Sequence, residues 1–313
     1  MNWALHVSAS LPFFTAPSQA DAGILAPQVQ AVGRAAARAL CDELALAPKP
    51  GLVSFADTGS HDDMDAHTFM RSIFALRPYY ERITVLGMAR APFAALERCG
   101  IEAERHMLAA TGGINTHRGA IFMLGLLCAA AGVLIGQGQP LDASALRQAL
   151  LTQWGDALST RADRTPTLPG GMASARLGLR SAGREAALGL PTLFETALPA
   201  WQQAERSGLA PHAVRLQTLF SVMAVLDDAN LAHRGGLSGL AHARAAAQAF
   251  LAHGGAGRAD AQKQAWAVHR DFVARRLSPG GAADTLAAAC WLHRVQAVSY
   301  THLRAHETLR YFV

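Results

Sequence analysis

From Ala120 to Gly136 the chain runs for 17 residues without a charge. A segment that apolar has to be hidden, either in a bilayer or inside a large core. It falls just short of the roughly 20 residues that span a membrane, and it carries Gly125, Gly132 and Gly136. A helix that is apolar on every side is equally suited to be the central helix of a bundle, which is the expectation here. Immediately before it, Thr111–Phe122 packs Gly112, Gly113 and Gly119 together with Asn115, Thr116, His117 and Arg118. This is the pattern of a polar site mounted on the end of a buried helix. The glycines let backbone approach a ligand, and the helix start offers free N–H groups to an anion. A plain glycine-rich turn before a core helix is the competing reading.

Composition narrows the fold class. Hydrophobic residues make up 51% of the 313 and aromatics only 7%, with alanine very frequent. That argues for helices and little sheet. Helical patterns fall at 32–46, 62–77, 92–109, 118–135, 143–158, 171–188, 192–206, 211–227, 239–253, 259–277 and 282–297. The breaks between them lie at Pro48/Pro50, Gly138–Pro140, Pro166/Pro169, Pro191, Gly235–Gly236, Gly254–Gly257 and Pro279–Gly281. None is a long linker. The expectation is a single large all-α, multi-helix domain over 31–297, with a loose N-terminal leader over 1–30. The last residues, 298–313, break the pattern; Ser299–Thr308 looks like translated sequencing-adapter DNA, so this tail is read as non-native.

The formal charge is +5 and the pI about 9.4, compatible with small polyanionic substrates. Lys49 and Lys263 are the only lysines, so the basic stripe of a nucleic-acid binder is missing. Cys41, Cys99, Cys128 and Cys290 show no metal or disulfide spacing and fit a reducing compartment. The first 20 residues do not form a convincing signal peptide. With no membrane span expected, the location is read as cytoplasmic.

Two further polar clusters stand out. In the first, Pro48-Lys49-Pro50 is a stiff turn holding one cation, and Gly59-Ser60-His61-Asp62-Asp63-Met64-Asp65 follows. Carboxylates gathered this way suit Mg²⁺, although an acidic, N-capped first helical turn would look similar. The second, Asp227–Gly236, reads as the end of a helix, with Gly235 as its stop and Arg234 in the last turn. That leaves Asp228, Asn230 and His233 without a structural reason.

Taken together, these pieces resemble the triphosphoribosyl-dephospho-coenzyme A synthase family. The matching segments are Pro48–Val53, Gly59–Asp65, Gly113–Phe122, Asp228–Gly236 and Ser278–Asp284. His61-Asp62-Asp63-Met64-Asp65 is closer to the malonate decarboxylase branch than to the citrate lyase branch, which tends to carry lysine in place of Asp62. The resemblance implies an enzyme that moves the 5-triphosphoribosyl group of ATP to the 2′-hydroxyl of 3′-dephospho-coenzyme A and releases adenine. The product would be passed to the system that loads the acyl carrier protein of malonate decarboxylase. On this basis Asp63 and Asp65, with Asp228, are the expected Mg²⁺ ligands. Lys49, Arg118 and Arg234 would hold the triphosphate, with Gly112, Gly113 and His233 beside the substrate. His117 or His61 would serve as acid or base, and Asn115 and Asn230 would orient ribose hydroxyls. Two rivals remain at this stage. One is an all-α metal-dependent nucleotide phosphohydrolase built on His61-Asp62; the other is a non-enzymatic helical assembly factor for the decarboxylase.

Overall fold

A computed structural model describes residues 19–310 and the side chains of 26–296. Among the described residues there is no strand. The helices are α1 (Gln19–Ala45), α2 (Ala66–Met88), α3 (Phe93–Thr111), α4 (Arg118–Gly136), α5 (Ala143–Ala162) and α6 (Pro169–Arg176). They continue as α7 (Ala182–Ala187), α8 (Leu198–Arg206), α9 (Pro211–Met223), α10 (Ala229–Ala252), α11 (Ala261–Ala274) and α12 (Gly280–Arg310). A π-helical turn, Thr192–Ala197, leads into α8, and a 3-10 turn spans Gly255–Gly257. Most of the expected leader, residues 1–18, lies outside the described residues, while 19–30 are already part of α1. The side chains of the tail read as non-native also lie outside them.

The uncharged run is the central helix. Every residue of α4 from Leu124 to Ile135 is buried, and α1, α2, α3, α5 and α12 pack around it. It is the one described helix long and apolar enough to cross a membrane, and the core covers most of it. Its glycines let α2 come very close. A Cβ on Gly132 would lie 2.0 Å from the Thr84 carbonyl oxygen, and one on Gly87 would lie 1.9 Å from that of Ala129. Two helix backbones in contact at two levels fix α4 against α2 in both position and rotation.

Three further element boundaries differ from expectation, two of them because a carboxylate caps the helix. α2 begins at Ala66, because the Asp65 carboxylate accepts from Thr68 N and Thr68 Oγ1, both at 2.8 Å, and so takes the N-cap. His61, Asp62 and Asp63 therefore lie in the loop before the helix and do not share a helical face with Asp65. The pattern over 171–188 divides into α6 and α7. The segment Asp227–Gly236 starts a helix instead of ending one: Asp228 Oδ1 accepts from Asn230 N and Leu231 N and caps α10. Gly236, at φ 61° and ψ −160°, is a kink inside α10, in a region essentially reserved for glycine.

Candidate functional site

The five polar segments meet at one end of α4. Its first turn faces the first turn of α12, and Gly119 makes room for Asp284 there: a Cβ on Gly119 would lie 1.9 Å from Asp284 Oδ2. The Asp284 carboxylate accepts from Ala120 N. Asp228 ties α10 to α12, because its Oδ2 accepts from Ala282 N at 2.9 Å while Oδ1 caps α10. The anions at these helix starts are thus the protein's own carboxylates. That corrects the expectation that the start of α4 is open to a bound anion. It also corrects Asp228 as a metal ligand, since its oxygens are occupied by backbone N–H groups of two helices.

Beneath this junction lies a buried charge pair. The turn after α1, Pro48–Gly51, seats Lys49 at 1% exposure, with its ammonium 2.5 Å from Glu43 Oε1. Burial pushes Glu43 up and Lys49 down, and their mutual attraction opposes both shifts. Lys49 is therefore corrected from a phosphate clamp to a core cation with a partner of its own. His117 lies close by, also buried. Its Nδ1 is 2.6 Å from Ser72 Oγ of α2, its ring sits edge-on to Phe69, and its Nε2 has no hydrogen-bond partner. Burial first, and then the Lys49 charge, lower its pKa to about 3. At neutral pH His117 is therefore an uncharged imidazole and cannot serve as a protonated acid.

The rim is more open. Arg234 donates from Nη1 to the Ser60 and Arg276 carbonyls and from Nη2 to His61 Nδ1 at 3.1 Å. His61 Nδ1 must therefore accept, which leaves Nε2–H to donate to Ser278 Oγ at 2.9 Å. Burial, helped by Arg234, lowers the His61 pKa to about 4, so it too is neutral. Arg118 is held by Glu104 of α3, at 2.7 Å from Nε and 2.6 Å from Nη2. Asn115 Oδ1 accepts from Arg118 N at 3.1 Å and so ties the loop to the first residue of α4. Asn230 is exposed, and its Nδ2 fills the space where Gly280 lacks a Cβ. His233 is exposed on α10. Gly112 and Gly113, at φ 71° and 92°, terminate α3, and Cβ atoms there would meet nothing within 4 Å. Their glycine identity is required by the backbone turn, not by a crowded ligand.

The remaining acidic groups can accept a cation. Asp62 is exposed and pairs with Arg276 at 3.1 Å; Asp63 is exposed and 3.8 Å from His61 Nδ1. Asp65 uses Oδ1 for its cap, and those hydrogen bonds from Thr68 hold its pKa down. Among the described residues, no group of three or more His, Cys, Asp or Glu side chains is arranged around one metal position. One or two carboxylates in a solvent-facing loop fit Mg²⁺, which keeps water and substrate phosphate in the rest of its shell.

Sequence reasoning left Glu43, Ser72, Glu104 and Ser278 out of the site and treated Asp284 only as a helix-start residue. Glu43 had a readable signal: it shares the buried face of α1 with Ala36, Leu40 and Leu44, where a carboxylate needs a partner. Glu185, a further buried carboxylate, pairs with Arg180 and accepts from Thr192 N at 2.6 Å.

Comparison with known proteins gives the same answer for most of the chain. No solved structure matches it. A probable 2-(5''-triphosphoribosyl)-3'-dephosphocoenzyme-A synthase of Vibrio cholerae serotype O1 is 38% identical over 299 residues, 92% of this chain and 95% of that protein. The synthase of Pectobacterium atrosepticum is 40% identical over 268 residues, 82% of this chain and 86% of that protein. A probable synthase of Acinetobacter calcoaceticus is 36% identical over 258 residues, 82% and 88% of the two chains. The family model for ATP:dephospho-CoA triphosphoribosyl transferase matches residues 29–302, which takes in every segment that meets at the site, and the chain belongs to that family.

Proposed function

We propose that the chain transfers the 5-triphosphoribosyl group of ATP to the 2′-hydroxyl of 3′-dephospho-coenzyme A, releases adenine, and serves a malonate decarboxylase. The observation that carries the transfer is the meeting of five distant segments, all inside the family match, around one polar cluster. The bond between C1″ and the adenine nitrogen breaks as positive charge grows on C1″, and a bond from C1″ to O2′ forms. Asp63 and Asp65 would hold Mg²⁺, which supplies charge neutralisation on the triphosphate when bound. Arg234 and Arg118 are the guanidiniums beside that loop and at the start of α4; the triphosphate competes with Glu104 for Arg118. Asn230 and Asn115 lie on the same rim and orient ribose hydroxyls, with Gly112, Gly113 and His233 nearby. His117, neutral and with Nε2 unpaired, takes the proton of the attacking hydroxyl. His61 positions the acidic loop through Arg234 and Ser278.

Both ring nitrogens of His61 are engaged by Arg234 and Ser278, which disfavours a phosphohydrolase built on His61-Asp62. The link to malonate decarboxylase rests on Asp62 within His61–Asp65, and the cytoplasmic location on composition alone. The test is incubation with ATP, Mg²⁺ and dephospho-coenzyme A, followed by mass spectrometry. Adenine should appear only when dephospho-coenzyme A is present, and chelation should stop it. Steady ADP formation without adenine would exclude ribosyl transfer.

A further inference from the structure

We propose that Asp284 is the proton donor to the departing adenine, a role that rests on the transfer reading above. The cluster holds three carboxylates, the buried Glu43 and Asp228 and the half-buried Asp284, against one ammonium, Lys49. With one ammonium among three carboxylates, like-charge repulsion within the cluster favours a retained proton on one carboxyl. The partners decide where it resides. Glu43 has Lys49 at 2.5 Å. Asp228 is solvated by backbone N–H groups of residues 230, 231, 281 and 282. Asp284 has one backbone donor, Ala120 N, has Glu43, Asp228 and Tyr80 as neighbours, and forms no ion pair among the described residues. Its carboxyl is held well above the usual carboxylate range, by burial first and by Glu43 and Asp228 next.

Position supports the role as well. Asp228 and Glu43 are closed off, whereas Asp284 and Gly119, against which its carboxylate rests, are half-buried. His117 Nε2, buried and without a partner, lies in the same cluster beside Lys49. The site therefore presents one neutral acid and one neutral base. The C1″–N bond breaks with its electron pair going to adenine, and the Asp284 proton moves to a ring nitrogen of that base. The 2′-hydroxyl proton goes to His117 as O2′ bonds to C1″; after release His117 gives a proton up and Asp284 takes one back through solvent, so charge balances over a turnover.

The test compares two donors in wild type and Asp284→Asn, which keeps an acceptor for Ala120 N. One donor is ATP; the other carries 4-nitrophenol on C1″ of ribose 5-triphosphate, a leaving group that departs without protonation. Adenine release by Asp284→Asn should fall on the order of 10²- to 10³-fold, with nitrophenolate release nearly unchanged. Equal slowing of both donors, or unaltered adenine release, overturns the assignment. If circular dichroism shows the variant unfolded, the wild-type pH profile decides. An alkaline loss of kcat with ATP but not with the nitrophenyl donor supports the acid, and the same alkaline limb with both overturns it. Wild-type protein that releases no adenine from ATP brings down the transfer reading itself, a result distinct from these.

Discussion

Removing the ammonium of Lys49 would strand the Glu43 carboxylate in the core, and the cost of an unpaired buried charge is about 3–5 kcal/mol. Lys49→Ala should therefore act first on stability, lowering the urea midpoint at pH 7. Part of that loss should return as the pH is lowered, because burial already raises the Glu43 carboxyl and it can take up a proton in place of its lost partner. Arg234→Ala should behave differently, because Arg234 is exposed and holds the acidic loop through two carbonyls and His61. Its loss should raise the ATP requirement with little change in midpoint. If Lys49→Ala instead keeps wild-type stability and only weakens ATP binding, the residue is a phosphate clamp after all. Sequence identified the lysine but not its job, because the partner sits six residues upstream on a helix face that otherwise reads as core.

At the level of elements, the crossing of α2 and α4 is the least forgiving part of the molecule. A methyl group on Gly132 has backbone as its nearest neighbour, the Thr84 carbonyl at 2.0 Å, so the helices must separate to admit it. Gly132→Ala should cost about 1–3 kcal/mol or more, measured as a drop in melting temperature. Gly112→Ala meets no neighbour and should show only the smaller penalty of its left-handed backbone. A Gly132→Ala protein as stable as wild type would mean that the helices are not in backbone contact. The central helix, the proline and glycine breaks and the all-α class were legible because they depend on local pattern. The starts of α2 and α10 were not, since acidic residues near a helix start and near a ligand look alike until the cap hydrogen bonds are seen. For the same reason Asp228 read as a metal ligand and proved to be a cap.

For the molecule as a whole, acid stability follows from two neutral histidines. His61 and His117 titrate near 4 and 3 in the folded state, against about 6.5 in an unfolded chain. Below pH 6.5 the unfolded chain binds protons that the folded one refuses, so their contribution is complete above 6.5 and drains away as pH falls toward 3. Asp284 and Asp228, raised by burial, act in the opposite sense, so the net curve mixes both. The histidine share can be isolated as the difference in unfolding free energy between wild type and His117→Gln. From pH 6.5 to 4 that difference should move against the wild type by up to about 1.4 kcal/mol per pH unit. A constant difference would mean that His117 is not held neutral.

One carboxylate, Asp228, fastens the starts of two helices that lie far apart in sequence. Neither end can fray without giving up the hydrogen bonds that hold the other. The amide protons of residues 230, 231 and 282 should therefore exchange with deuterium as one cooperative unit, at a shared rate and with a shared dependence on denaturant. Whatever loosens one of these helix starts takes the floor of the site with it.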